Sequence, residues 1–197
     1  MNPPRNHPLV VRAADGLLPS WAQAGESRRL HMTRVSNLMR EWAVVRAECE
    51  DEVVRWAALG HLHDVLRDGA PAELRAMVDD EFAELPGKLL HGPAAAGRLA
   101  REGVGDDGLL RAVAFHTLGH PDLDTAGVAL YAADFLEPGR AAQAQWRESL
   151  RGRMPDEMDD VALEVASART EHLRGIAGSV WPETAAFLEL LRMRAHG

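Results

Sequence analysis

A chain of 197 residues with a formal charge of -8 at neutral pH, 46% hydrophobic and 26% charged, has the makeup of one ordinary globular domain, or two small ones. That excludes a disordered, collagenous or disulfide-stapled polymer. Cys49 is the only cysteine, so no internal disulfide forms, a reducing cytoplasm is expected, and any metal site must be built from histidines and carboxylates.

The acidic balance opposes adhesion to nucleic acid or to an anionic membrane, both of which require a basic surface. The opening MNPPRNHPLVVRAADG has no apolar core of signal-peptide length, and no stretch of 18 apolar residues runs without a charge. A cytoplasmic protein with no nucleic-acid or membrane partner is therefore expected. Any anionic small-molecule substrate needs local positive charge.

Residues 1–26 read as an N-terminal extension with a proline-bearing start, and 27–197 as a helical domain. The first strong periodicity, Leu30, Met32, Val35, Leu38, Met39, Trp42 and Val45, predicts an amphipathic helix over 27–47. Glu50, Asp51 and Glu52 suit the positive end of a second helix running to about Leu66, which Asp68, Gly69 and Pro71 stop. A short helix is expected over 71–84. Pro86 and Gly87 then break the chain and leave His91 at a helix entrance, with a helix over 94–102. Asp106 or Asp107 caps the next helix, which ends near His116. Further helices are predicted over 122–135, 141–150, 156–173 and 182–194. No alternating strand pattern occurs, so the expected architecture is a single all-α domain.

Six residues from five of these segments stand out: His31, His63, Asp64, His91, His116 and Asp134. The HD pair at 63–64 alone means little, since nine histidines and fourteen aspartates give roughly 0.6 such pairs by chance. The surrounding segments carry more weight: SRRLHMTRV (27–35), ALGHLHDVLRD (58–68), LLHGPAAAGRLA (89–100), RAVAFHTLGH (111–120), YAADFLEPGR (131–140) and VWPETAAFLELL (180–191). In order and spacing the chain resembles the HD-domain metal-dependent phosphohydrolases, and within them the YqeK-type symmetrical diadenosine tetraphosphate hydrolases.

The resemblance implies that His31, His63, Asp64 and Asp134 bind one metal ion, and that Asp64 bridges to a second held by His91 and His116. It also implies an all-helical HD fold and hydrolysis of diadenosine tetraphosphate to two ADP through a metal-bound hydroxide. Two departures accompany it. Arg67 stands where the family usually has lysine, and His116, Thr117, Leu118 and Gly119 replace the usual HTTG. A donor set of imidazoles and carboxylates favours a divalent transition metal, iron or manganese first, with cobalt, zinc, nickel and magnesium also accommodated.

Asp64, Arg67 and Arg140 are the expected catalytic residues; Arg28, Lys88, Thr117, His120 and Arg140 are the candidate phosphate partners. Each has a plainer alternative. Arg140 could instead pair with Glu137 at the surface, Thr117 could cap a helix, and His120 could be a solvated loop residue. His61, on another face of its helix from His63, reads as a supporting or surface residue. His7, His172 and His196 are assigned no role. Trp42, Trp56, Trp146 and Trp181 fit packing better than base stacking, and Phe135 is the aromatic best placed to meet an adenine. Two further functional readings stay open: a broader nucleotidase or phosphoesterase, and a metal-containing nucleotide-binding protein without turnover. A homodimer is also left open.

Overall fold

The computed structural model describes residues 6–177 and 180–195. Among the described residues there are ten α-helices, two short 3-10 turns and no strand. The helices are α1 (Pro8–Ala14), α2 (Glu26–Val45), α3 (Glu50–Leu62), α4 (Pro71–Arg75), α5 (His91–Arg101), α6 (Asp107–Phe115), α7 (Thr125–Leu136), α8 (Ala144–Arg151), α9 (Met158–Ala177) and α10 (Pro182–Ala195).

The α2–α3 hairpin is the frame. Met32, Val35, Met39 and Trp42 form the buried stripe of α2, and it packs against Trp56, Ala57, Leu59 and Leu62 of α3. The two backbones come so close that a Cβ added to Gly60 would lie 2.3 Å from the Ser36 Cα. Only glycine fits there. Ser36 Oγ donates to the Ala57 carbonyl at 2.8 Å and so satisfies its buried hydroxyl within the same contact. Helix α7 is buried along nearly its whole length and touches α2, α3, α6, α8 and α9, which makes it the centre of the bundle. Helices α9 and α10 pack on each other, and Phe187 of α10 meets Tyr131 of α7 edge-on at 5.1 Å.

Arg55 fastens three helices together. Its guanidinium, on α3, donates to Asp106 Oδ2 at 2.6 Å and to Asp124 Oδ2 at 2.7 Å. Those aspartates are the N-caps of α6 and α7: Asp106 Oδ1 accepts from Leu109 N, and Asp124 Oδ1 from Gly127 N. In Asp124 one carboxylate oxygen caps a helix while the other holds the arginine; Asp106 Oδ1 does both, since it also accepts from Arg55 Nη2 at 3.2 Å.

The predicted all-α architecture holds, with four local differences. Helix α1 was not expected. It is only seven residues long and rich in valine, but His7 Nδ1 caps it by accepting from Leu9 N, and Leu9, Val10 and Ala13 are buried against α3. Helix α3 stops at Leu62 instead of Leu66, because the main chain of 65–68 pairs with Gln23: Gln23 N donates to Val65 O and Asp68 N to Gln23 O. The 71–84 segment breaks into α4 and a 3-10 turn, Asp80–Phe82, as Arg75 reaches forward to the carbonyls of Ala83 and Leu85. The segment predicted from 141 begins its helix at Ala144, after Gln143 at φ +53°.

Because Gly60 lies three residues before His63, a methyl group there must push α2 and α3 apart. Gly60→Ala is expected to destabilise the fold by about 2 kcal/mol through overpacking, read as a lower denaturant midpoint at unchanged slope.

Candidate metal centre

Local backbone geometry aims each ring. His63 and His116 are the C-terminal caps of α3 and α6, and His91 opens α5. In each case Nδ1 donates to the main-chain carbonyl three residues earlier: His63 to Gly60 at 3.0 Å, His91 to Lys88 at 3.1 Å and His116 to Val113 at 2.8 Å. These bonds assign the proton to Nδ1 and turn Nε2 inward. His31 comes from the buried face of α2, and Asp134 from the core of α7. Gly92 keeps α5 close enough for this, since a Cβ there would sit 2.8 Å from the carbonyls of Val113 and Ala114.

The structure brings all six residues together, every one buried. Asp64 is shared between two halves. Its Oδ1 lies 3.1 Å from His91 Nε2 and 3.5 Å from His116 Nε2. Its Oδ2 lies 3.5 Å from His63 Nε2 and 3.7 Å from His31 Nε2. Asp134 Oδ1 is 3.1 Å from His31 Nε2 and 3.9 Å from His63 Nε2.

Within each half two imidazole nitrogens face each other, His91 and His116 at 3.1 Å, His31 and His63 at 3.3 Å. With the Nδ1 nitrogens of His63, His91 and His116 already donating, and His31 Nδ1 facing Glu137 Oε1 at 3.3 Å, these contacts bring lone pairs together. Burial favours that neutral state, pushing His91 down to about 4 and His63 down as well. Burial alone would raise Asp64 and Asp134. For Asp64 the close polar contacts with His63, His116 and His91 outweigh it; for Asp134, Arg169 does so first, then His31 and Arg140. Both carboxyls stay ionised well below the usual range. Converging imidazole lone pairs and anionic oxygens at these separations are the donor set of a divalent cation site, and two groups qualify, His31–His63–Asp64 and Asp64–His91–His116.

A cleft of about 550 Å³ opens over this cluster. Of the predicted catalytic and phosphate-binding residues, Asp64, Arg28, Arg67, Lys88, Thr117 and Arg140 line it. His120 does not; its ring packs on Phe115 at 4.5 Å and its Nδ1 accepts from Asp122 N. Arg140 does not pair with the Glu137 side chain either. It donates to Asp134 Oδ1 at 2.7 Å and to the Asp134 carbonyl. Arg28 donates to Asp64 Oδ2 at 2.7 Å. Phe135 lines the cleft, with the Arg147 guanidinium 3.8 Å over its ring and Trp146 edge-on. Trp42 and Trp56 are core residues, and Trp181 packs on the core. His7 caps α1, and His61 is buried with its ring facing Gly16. The side chain of His172 and residue His196 fall outside the described residues.

Sequence reasoning missed three residues here. Arg169 of α9 donates to Asp134 Oδ2 at 2.6 Å, and Arg147 of α8 covers Phe135. Glu137 is 3% exposed, with Oε1 at 3.3 Å from His31 Nδ1 and Oε2 bound by Arg34 and by Gly139 N. Its position, one helical turn after Asp134, was a usable signal; nothing in the sequence around Arg169 marks it.

No family model matches the chain. A structure from Clostridium acetobutylicum, described as an HD superfamily hydrolase involved in NAD metabolism, superposes with a TM-score of 0.74 at 23% identity, covering 93% of this chain and 96% of that one. The chain therefore shares the fold of that structure, and the pair His63 and Asp64 sits within the buried histidine–aspartate cluster. In sequence the chain is similar to proteins named symmetrical bis(5'-nucleosyl)-tetraphosphatase. It is 31% identical to the one from Bacillus subtilis over 60% of this chain and 66% of the relative, and 28% identical to that from Staphylococcus aureus over 58% and 61%. The aligned stretch thus spans just under two thirds of each of these relatives.

The buried histidines make metal-free stability depend on pH. The unfolded chain takes up protons near the ordinary value of 6.5, whereas folded His91 resists down to about 4, so stability falls as pH drops through that interval. Below the ordinary 3.8 of the carboxyls, Asp64 and Asp134 add loss of the same sign. Urea midpoints of chelator-treated protein are expected to decline from pH 6.5 to 4, and more shallowly in His91→Gln.

Proposed function

We propose that this chain is a metal-dependent phosphohydrolase that splits diadenosine tetraphosphate symmetrically into two ADP, with two divalent ions, iron or manganese, held in the six-residue cluster. The observation that carries the reading is the division of Asp64, one oxygen toward each pair of histidines. His31, His63, Asp64 and Asp134 would hold one ion; Asp64, His91 and His116 the other. When bound, such ions supply Lewis-acid charge on phosphoryl oxygens and a water acidic enough to attack phosphorus near neutral pH.

The chain's own residues do the rest. Arg67 and Lys88 line the cleft with no acidic partner among the described ion pairs, so their charge is available to a polyphosphate. Arg28, Arg140 and Arg169 are tied to Asp64 and Asp134, where they fix the carboxylates and border the same cleft. Thr117, next to His116 in the chain, lines the same cleft, and the Phe135–Arg147 stack offers a flat surface to a nucleobase. Together these groups make an anion-receiving pocket inside an acidic protein. The catalytic domain would run over 27–197, with α1 of the 1–26 stretch seated on it. The exposed thiol of Cys49 supports a reducing, cytoplasmic setting.

Metal analysis of freshly purified protein, followed by incubation with diadenosine tetraphosphate and manganese or iron, is expected to give about two ions per chain and ADP as the sole product. AMP with ATP would reject symmetrical cleavage. Turnover only in a panel of monophosphates would point to a broader phosphoesterase, and metal without any turnover to a binding protein.

Asp64→Ala should lower kcat by at least ~10³-fold, because one substitution removes a donor from both halves. Lys88→Met should raise KM by about tenfold and leave metal content unchanged, as its side chain approaches none of the six donors.

A further inference from the structure

Three of the four histidines are oriented the same way, each Nδ1–H resting on the main-chain carbonyl three residues earlier. His31 differs. Its Nδ1 faces the buried carboxylate of Glu137 at 3.3 Å, delivered from the end of α7, while its Nε2 faces Asp134 of the same helix at 3.1 Å. One helical turn of α7 therefore grips the imidazole from both sides. We infer that Glu137 is the positioning residue for His31, and that its charge makes the His31–His63–Asp64–Asp134 half of the cluster the tighter of two unequal divalent-cation sites. This rests on the metal-binding reading above.

The physical reason lies in what stands behind each ring. A carboxylate accepting the Nδ1 proton polarises the imidazole and raises the donor strength of Nε2, whereas a neutral carbonyl does so weakly. No other histidine of the cluster has a carboxylate at Nδ1. Glu137 is itself held rigidly: Arg34 and the Gly139 N–H both donate to Oε2, which leaves Oε1 turned toward His31. That half also offers two carboxylate donors, Asp64 and Asp134, against Asp64 alone in the other, so one more anionic oxygen is placed to bind an ion there, with Arg140 and Arg169 holding Asp134 in position. The arrangement separates the two roles of Glu137, since one oxygen anchors the chain near Gly139 and the other faces the ring.

The test is stepwise titration of metal-free full-length protein with manganese, followed by calorimetry and by the electron paramagnetic resonance of free Mn²⁺. Wild type should show two binding steps of different affinity. Glu137→Gln, which keeps an acceptor but removes the charge, should weaken the tighter step by about 10- to 100-fold and leave the other within error. Arg34→Gln, which removes the partner of the anchoring oxygen alone, should keep both steps within about threefold. Thermal unfolding of the metal-free variants reports separately on folding.

Unchanged binding in Glu137→Gln would overturn the assignment, as would equal weakening of both steps, or the same loss in Arg34→Gln as in Glu137→Gln. Failure of the wild type to bind manganese, iron or zinc would instead overturn the metal-binding reading itself, and this inference with it.

Discussion

The structure depends on one electrostatic constraint: four imidazole lone pairs and two ionised carboxylates are gathered in a buried space where no proton is available to reconcile them. Facing nitrogens at 3.1 and 3.3 Å repel, and burial disfavours the extra proton that would relieve them. The surrounding protein holds the arrangement nonetheless, through carbonyls fixed in helix ends and through the close α2–α3 contact at Gly60. Such an arrangement belongs to sites whose donors are meant for something other than each other.

The arginines answer the same constraint from outside. Asp134 is contacted by both Arg140 and Arg169, and Asp64 by Arg28. Each ion pair keeps a buried carboxylate charged and also lines the cleft with cationic groups. The net-acidic chain thus gathers cationic side chains around this cleft, and the charges that shape the pocket are those that hold its floor.

Much of this was legible in the sequence, and the reasons are specific. Met32, Val35, Met39 and Trp42 repeat at helical spacing, so α2 and the buried face bearing His31 could be read directly. The pair Asp106 and Asp107 announced the start of α6, and Asp106 is the one that caps it, because a cap works through local geometry. What escaped were consequences of tertiary contact. Helix α1 is too short to be stable by propensity and exists because α3 covers it. The end of α3 is decided by Gln23, some forty residues away in sequence. Arg169 and Glu137 took their importance from which residues the fold put beside them, and His120, four positions past His116, was turned away onto Phe115. The six donors were readable as a set only because their surroundings resembled a known family; helical periodicity alone would have left each an isolated polar residue.

Arg55 gives the cluster a mechanical footing that proximity alone would not. It ties down the N-terminal ends of α6 and α7, the two helices whose far ends carry His116 and Asp134. At about 1.5 Å per residue, the nine residues of α6 form a lever of roughly 13 Å. A tilt of only a few degrees at the clasp would displace the His116 ring by more than half an ångström. Tolerances at the donor atoms are thereby set on the opposite side of the molecule, by a residue that never approaches them.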